Sequence, residues 1–536
     1  MPAGPQVASV VGSNLVRFRG KGTSHIEGYG PVEFRDLYTL GHEPLGEGRY
    51  SRVYSATHRG TGAKRAVKTA MRKGANHMIE DYGMECPARL AKHEASILRL
   101  LDHPNVIRLH EVFEEENMVH LILELCEGAD VLERILSSAG RLEEREIANM
   151  FVQMVAGIRH LHSKGVAHRD VKPEHFLFTR REPDRLPAPP WRAAVKIIDF
   201  GLGHQETVGY KPGGGTPQFM PPEALAGGRI KDVLNLSTAM AGDMWSLGVV
   251  LHAMLVGHYP SPKLTDKTMG AYLKKSAWKS FSADCLDLMG SLLKQVSKER
   301  LSSAAALQHP WCRAADLARG PVPPFMLQEL PKAVQKHVAS PGLIRLMLRA
   351  VACEIDDFDA FEVRVLFQLL LSDCGGELTA DSMREAASSS ESLKQVALAL
   401  GQEFEKLSGN PQGPIGWSDF FAMVLSGTHL AKLKLSAVVR PLLTEEAVFG
   451  GFDKLRYDTP TVSGDSLALI CPQPSSKQAK AAPQPEPEQF AALVKQVCPS
   501  GAMPPEEFLA LVNGKALNGG PGRPANGGGG GGGGGG

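Results

Sequence analysis

Apolar residues recur at helical spacing over residues 91–101 and again over 150–162, where they are dense enough to predict a buried helix. Between these, Val119-His120-Leu121-Ile122-Leu123-Glu124-Leu125 runs into Gly128 and predicts a buried strand, and Val195-Lys196-Ile197-Ile198 predicts a short one. Residues 343–351 form an apolar helical pattern with arginines spaced along it, and 362–370 repeat the pattern. Aperiodic stretches punctuate these elements: the proline-rich 180–192 and 320–324, the Ala/Gln/Pro-rich 472–487 and the polyglycine 527–536. The pattern predicts a flexible leader (1–36), a mixed first domain (37–311), a linker or junction (312–340), a helical domain (341–515) and a disordered Gly-rich tail (516–536).

Composition narrows the class of function. A chain of 536 residues can build two or three cores. A formal charge of +1 gives no global field for nucleic acid. Eight scattered cysteines without a C-x-x-C pair argue against zinc and against a disulfide framework. They suit a reducing compartment; the expected location is cytoplasmic, with nucleus and organelles left open. No run of eighteen apolar residues appears. Met1-Pro2-Ala3-Gly4 has proline at the second position, where a myristoylation signal needs glycine, so no membrane anchor is expected. Arg17, Arg19 and Lys21 precede the first acidic residue, Glu27, which reads as a basic disordered tail more readily than as a transit peptide.

Candidate chemistry begins at Leu45-Gly46-Glu47-Gly48-Arg49-Tyr50-Ser51-Arg52-Val53, where glycines let backbone approach phosphate oxygens. Arg65-Ala66-Val67-Lys68 follows, then Glu94 within the first helical pattern. Next come His168-Arg169-Asp170-Val171-Lys172-Pro173-Glu174-His175, the triplet Asp199-Phe200-Gly201, and Gly215-Thr216 leading to Pro221-Pro222-Glu223. In this order and spacing the blocks resemble those of eukaryotic protein kinases. The resemblance implies an α+β, bilobal kinase fold that uses ATP and Mg2+ to phosphorylate protein serine or threonine. It implies that Leu45, Gly46, Glu47, Gly48, Val53, Ala66, Lys68, Glu124, Cys126 and Leu177 surround ATP, with Leu123 as gatekeeper. Glu94 would pair with Lys68, Asp170 would take the hydroxyl proton, Lys172 would steady the phosphoryl group, and Asp199 would bind metal. Thr216 would contact Asp170 and Lys172; Asp130 and Glu174 would read an arginine on the substrate. Asp243 would support the catalytic loop, Arg300 would pair with Glu223, and Arg169 would need Glu206 or a phosphate on Thr207 or Tyr210.

Ser51 takes the place of the third glycine, Phe219 replaces Tyr and Pro221 replaces Ala, and one further departure touches the metal site. His175 stands where the family has a metal-binding Asn, and imidazole suits Mg2+ less well than an oxygen ligand does. This points to Mn2+ as a second candidate cofactor, and to a non-catalytic scaffold as the alternative function.

The second half resembles the junction helix and EF-hands of the calcium-dependent protein kinases of plants and protists, here an all-α EF-hand-like domain. Loop ligands belong at positions 1, 3, 5 and 12, with glycine at 6. Aligning Gly376 and Gly413 to position 6 puts Ser382 and Asp419 at position 12. A third candidate loop begins at Phe452-Asp453 and ends at Ser466. A fourth keeps Gly501 and Glu507 but has Gln496 and Cys498 at positions 1 and 3. No loop offers more than one carboxylate in its ligand positions, so Ca2+ is not an expected cofactor. Expected partners are protein substrates with basic motifs and a protein bound to the EF-like domain.

Overall fold

The computed structural model describes residues 16–20, 32–48, 51–71, 86–138, 142–180, 194–205, 215–226, 235–261, 264–318, 324–355, 360–389, 393–407, 414–427 and short stretches between 451 and 512. The 180–192 insertion beyond Arg180, the 472–487 segment, the polyglycine tail, and Glu206, Thr207 and Tyr210 lie outside them.

The small lobe is a six-stranded sheet. In chain order its elements are β1 (Arg17–Gly20), α1 (Phe34–Leu37), β2 (Tyr38–Glu47), β3 (Ser51–His58), β4 (Lys64–Met71), α2 (Pro87–Leu98), β5 (Leu109–Glu114) and β6 (Met118–Glu124). The spatial order is β1-β5-β6-β4-β3-β2, with β1 parallel to β5 and the other pairs antiparallel. Period-two alternation sends Ala66 and Lys68 to one face and Val67 to the other. Val67 joins Phe34, Tyr38, Ala56, Phe113 and Ile122 in a small cluster on the outer face.

The leader is therefore not wholly aperiodic. Phe34 stacks on Tyr38 and His120, with centroids 5.5 and 4.6 Å apart, and β1 extends the sheet. Its arginines are buried because Glu111 on β5 is there to receive them: Arg17 ion-pairs with Oε1, and Arg19 Nε donates to Oε2 at 3.2 Å. Read locally, two arginines in so short a stretch signal solvent; only the remote carboxylate reverses this. The helix expected over 91–101 runs instead from Pro87 to Leu98, since Leu100 and Leu101 tighten into i→i−3 turns.

The large lobe is helical: α3 (Val131–Ser137), α4 (Glu144–Ser163), α5 (Leu236–Val256), α6 (Ser303–Gln308) and α7 (Pro310–Ala318). Short strand pairs carry the catalytic loops: β7 (Val166–Ala167) with β10 (His204–Gln205), and β8 (Phe176–Phe178) with β9 (Val195–Ile197). Helix α5 is apolar on every side and long enough to cross a membrane, but most of it is buried in this lobe as a core helix.

The predicted linker over 312–340 is largely helix. After α7, helix α8 (Pro324–Ala339) places Met326, Leu330, Ala333 and Val334 in the core of the second domain. That domain continues through α9 (Gly342–Ala352), α10 (Phe361–Asp373), α11 (Ala380–Ser389), α12 (Lys394–Gln402), α13 (Trp417–Ser426) and α14 (Pro505–Val512). Its loops pair as EF-hands do. Ile415 N donates to Leu378 O at 2.9 Å, and β11 (Val462–Ser463) pairs with β12 (Ala502–Met503) through Val462 and Met503. Leu378, Ile415 and Met503 fall at position 8 of the loops aligned from sequence, and Val462 stands four residues before Ser466.

Replacing Arg17 and Arg19 together by Ala leaves Glu111 buried without either cation, which should cost about 3 kcal/mol. The expected result is a lower urea midpoint, partly recovered by adding Glu111→Gln. An unchanged midpoint would exclude this ion cluster as a stabilising element.

Candidate active site

Lys68 projects from β4 into the cleft and meets two carboxylates from separate elements. Its Nζ donates to Glu94 Oε2 on α2 at 2.7 Å and to Asp199 Oδ1 at 2.9 Å. Burial works against the ammonium charge, but Glu94 and Asp199 outweigh it and raise the pKa above that of an ordinary lysine. The same contact acts on Asp199: burial would raise its carboxyl, while Lys68 holds it well below the usual carboxylate range. Phe200 is fully buried and its N–H points at Glu94 Oε1, 3.4 Å away, so α2 and the Asp-Phe-Gly segment are locked together.

The catalytic loop is held from beneath. Asp243, on α5 and 1% exposed, accepts the N–H groups of His168 at 2.8 Å and Arg169 at 2.7 Å, and its Oδ2 lies 2.9 Å from His162 Nε2. Arg169 (φ +69°) and Asp199 (φ +63°) are the non-glycine residues with positive φ among those described. Each such conformation costs about 1–3 kcal/mol. Asp243 fixes the first. His168 fixes the loop's far side by donating from Nε2 to Ile198 O at 3.0 Å while Nδ1 accepts from Asp170 N at 3.3 Å.

Asp170 is gripped through both of its carboxylate oxygens. Oδ1 accepts from Thr216 N and Oγ1, both at 3.0 Å; Oδ2 accepts from Lys172 Nζ at 3.0 Å, and Lys172 also reaches Thr216 Oγ1 at 3.2 Å. Burial alone would raise its pKa, but His175, Lys172 and Thr216 more than reverse this, so the carboxylate is ionised and able to accept a proton.

His175 takes up a defined tautomer. Nδ1 donates to Asp170 O at 2.8 Å, which leaves the Nε2 lone pair facing Asp199 Oδ2 at 3.7 Å. Burial and the neighbouring His168 push its pKa down to about 4, so the ring is neutral near pH 7. Two ligands each about 2.1 Å from one small cation stand at most about 4.2 Å apart, so this nitrogen and oxygen fit a shared ion. Asp199 and His175 are thus the residues able to hold a divalent metal, which when bound neutralises phosphate charge.

Around the cleft, Ala66 pairs across the sheet with Leu123, and Val53 with Lys68. Leu177 lies on β8, and Asp130 is bridged to it. Glu124 carries a contact unforeseen from sequence: its Oε1 meets the fully buried Lys196 Nζ at 2.8 Å. Leu45, Gly46 and Glu47 end β2 and Gly48 follows it, with Leu45 exposed. Cys126 follows the strand end as a half-buried residue. Asp130 Oδ1 caps α3 by accepting Glu133 N at 2.7 Å, while Glu174 Oε2 is buried without a hydrogen-bond partner. Arg300 forks onto Glu223 at 2.8 and 3.1 Å. Arg169 donates to Leu202 O at 3.2 Å; its expected acidic partners lie outside the described residues.

A cleft with an ammonium shared by two carboxylates, above a loop that presents Asp170 beside Lys172 and Thr216, is the site of a protein kinase. The protein kinase domain family matches residues 40–312, more than half of the chain. Calcium-dependent protein kinase 3 of Plasmodium berghei is 28% identical over 411 residues, covering 74% of this chain and 68% of its own. Calcium-dependent protein kinase 1 of Oryza sativa is 31% identical (66% and 65%), and calcium-dependent protein kinase 32 of Arabidopsis thaliana 30% (66% and 62%). The chain belongs to the protein kinase family, as a serine/threonine kinase of the calcium-dependent protein kinase group. That family works on protein substrates with ATP and Mg2+.

Asp243→Ala strips acceptors from the His168 and Arg169 N–H groups, and the expected loss is about 3 kcal/mol of stability. Faster amide exchange over residues 166–172 and a lower denaturation midpoint are the expected readouts. Wild-type exchange there would show that Asp243 does not hold the loop.

Proposed function

We propose that this chain is a catalytically competent kinase that calcium does not activate directly, and that it uses His175 as a metal ligand. The observation that carries the reading is the assembled cleft, with Lys68 on Glu94 and Asp199 and with Asp170 gripped by Lys172 and Thr216. Phosphoryl transfer asks the protein mainly for positioning and charge. The substrate hydroxyl oxygen attacks the γ-phosphorus, its proton passes to Asp170, and the bond to the β-phosphate oxygen breaks to release ADP. Lys68 orients the phosphates and Lys172 neutralises the charge that builds up on the transferring group.

The Nδ1 bond to Asp170 O supports His175 as a nitrogen donor beside Asp199, a mixed pair that Mn2+ accepts more readily than Mg2+ does. The unpartnered Glu174 oxygen supports recognition of an arginine upstream of the target residue, with Asp130 nearby in the weaker position because it already caps a helix. Scarce loop carboxylates support calcium independence, although the relatives are named calcium-dependent. Regulation then falls to the activation segment or to a protein partner of the EF-like lobe, in a cytoplasmic protein.

The test is phosphate transfer to a basic substrate with Mg2+ or Mn2+, each with calcium or chelator, using Asp170→Ala as blank. The expected result is transfer above blank that ignores calcium, is faster with Mn2+, and gains Mg2+ activity in His175→Asn. Signal at blank level throughout, including in His175→Asn, would replace the proposal by the scaffold reading that the His175 substitution favours. On a peptide panel, Glu174→Gln should lower kcat/KM about tenfold for arginine-containing substrates only. Equal loss on all peptides would remove the arginine assignment.

A further inference from the structure

The EF-like lobe docks on the kinase domain through arginines, and their partners fall on calcium-loop positions. Numbering the first loop from Leu371 as position 1 to Ser382 as position 12, an ion would draw oxygens from positions 1, 3, 5, 7 and 12; Leu371 has no side-chain oxygen to give, which leaves 3, 5, 7 and 12. Each of these is already engaged. Arg313 on α7 donates from Nη2 to Asp373 Oδ1 (position 3) at 2.6 Å and from Nη1 to the neighbouring Ser372 Oγ at 2.6 Å. Arg159 on α4 donates from Nε to Gly375 O (position 5) at 3.3 Å, and its Nη2 lies 3.5 Å from the side-chain Oε2 of Glu377, whose backbone carbonyl is the position-7 ligand. Ser382 Oγ (position 12) donates to the backbone carbonyl of Glu377 at 2.6 Å. Gly376, at φ +95°, lets Arg159 lie against the loop, since a Cβ there would come within 2.6 Å of Arg159 Cγ.

In two other loops the position-12 carboxylate is also engaged, but by groups of the EF-like lobe itself. Asp419, at position 12 of the second loop, faces the buried Arg349 of α9, with Nε and Oδ1 3.2 Å apart. In the fourth, the Cys498 thiol (position 3) donates to Glu507 Oε2 (position 12) at 3.1 Å.

We infer that Arg159 and Arg313 act as a built-in cation for the first loop, replacing a dissociable ion by two guanidinium groups fixed to the kinase domain. The inference rests on the calcium-independent reading and deepens it by naming what took the ion's place. A calcium ion leaves when its concentration falls; a guanidinium on α4 or α7 cannot. Its directional N–H groups also tie the loop to one surface, whereas an ion leaves the loop's outer face free. Docking of the EF-like lobe is thereby a permanent feature of the folded chain.

The test uses the full chain and a charge swap: Arg313→Asp, Asp373→Arg and both together, read by amide hydrogen exchange over residues 361–389. Each single variant should exchange about tenfold faster or more, and the double variant should return towards wild type, with calcium changing neither. Arg159→Lys, which keeps the charge but loses the fork, should speed exchange to a lesser degree and guards against a single variant that fails to fold. Wild-type exchange in all variants would overturn the inference while leaving calcium independence intact. Calorimetric heat from micromolar Ca2+ binding to the wild type would overturn both.

Discussion

One buried ammonium sets the relative placement of three elements that sequence separation keeps far apart. Lys68 comes from the sheet, Glu94 from α2 and Asp199 from the start of the activation segment, and the three meet within 2.9 Å. Each carboxylate is tolerable in the cleft because of the shared cation, and the cation is tolerable because of both. The remaining parts take their positions from this contact. Phe200 is buried beneath Glu94, the carboxylate of Asp199 turns one oxygen to Lys68 and the other to His175, and His175 is oriented by the backbone of Asp170. Small lobe, metal position and catalytic base are thus joined by a short chain of charge-assisted bonds.

At the back of the molecule a second polar network joins kinase and EF-like lobe. Asn105 donates to Gln153 Oε1 and Val195 O and accepts from Gln368 on α10, while Arg364 on α10 also reaches Gln153 Oε1. Asp102 accepts both the N–H and the hydroxyl of Ser418, with Gly416 allowing the approach. On the small-lobe side, Arg108 donates to Cys353 O at 2.9 Å and Arg65 ion-pairs with Glu354. Such a network is costly when only partly satisfied. The interface therefore favours a single register, and the two lobes of the kinase are spanned by one surface.

Much of the site was legible in the sequence because its motifs are short and locally constrained. The close pair Gly46 and Gly48, Asp170 two residues before Lys172, and Asp-Phe-Gly after an apolar strand each carry their own spacing. The EF-like frame was legible for the same reason: the loops set on Gly376 with Leu378 and on Gly413 with Ile415 do meet, through Ile415 N and Leu378 O. What stayed hidden depends on partners with no local signature. Arg159 and Arg313 look like solvated helix residues until the loop of the other lobe is set against them. Lys196 lies in a predicted short strand with no local sign of a partner, yet it is fully buried on Glu124. Helix α8 reads as linker because the apolar stripe of Met326, Leu330, Ala333 and Val334 is interrupted by Pro331 and preceded by a proline-rich stretch.

Strand β1 also fixes an order of events during synthesis. Phe18 lies beside Val112 in a parallel pair, so its hydrogen-bonding partner is made 94 residues later. At roughly 5–20 residues per second, that interval is on the order of 5–20 s. Through all of it a basic, partly apolar segment has nowhere to settle, while β2, β3 and β4 already have one another. A segment near the start of the chain is thus among the last parts of its lobe to be built in, and its two arginines, which keep it soluble while it waits, become buried when Glu111 arrives.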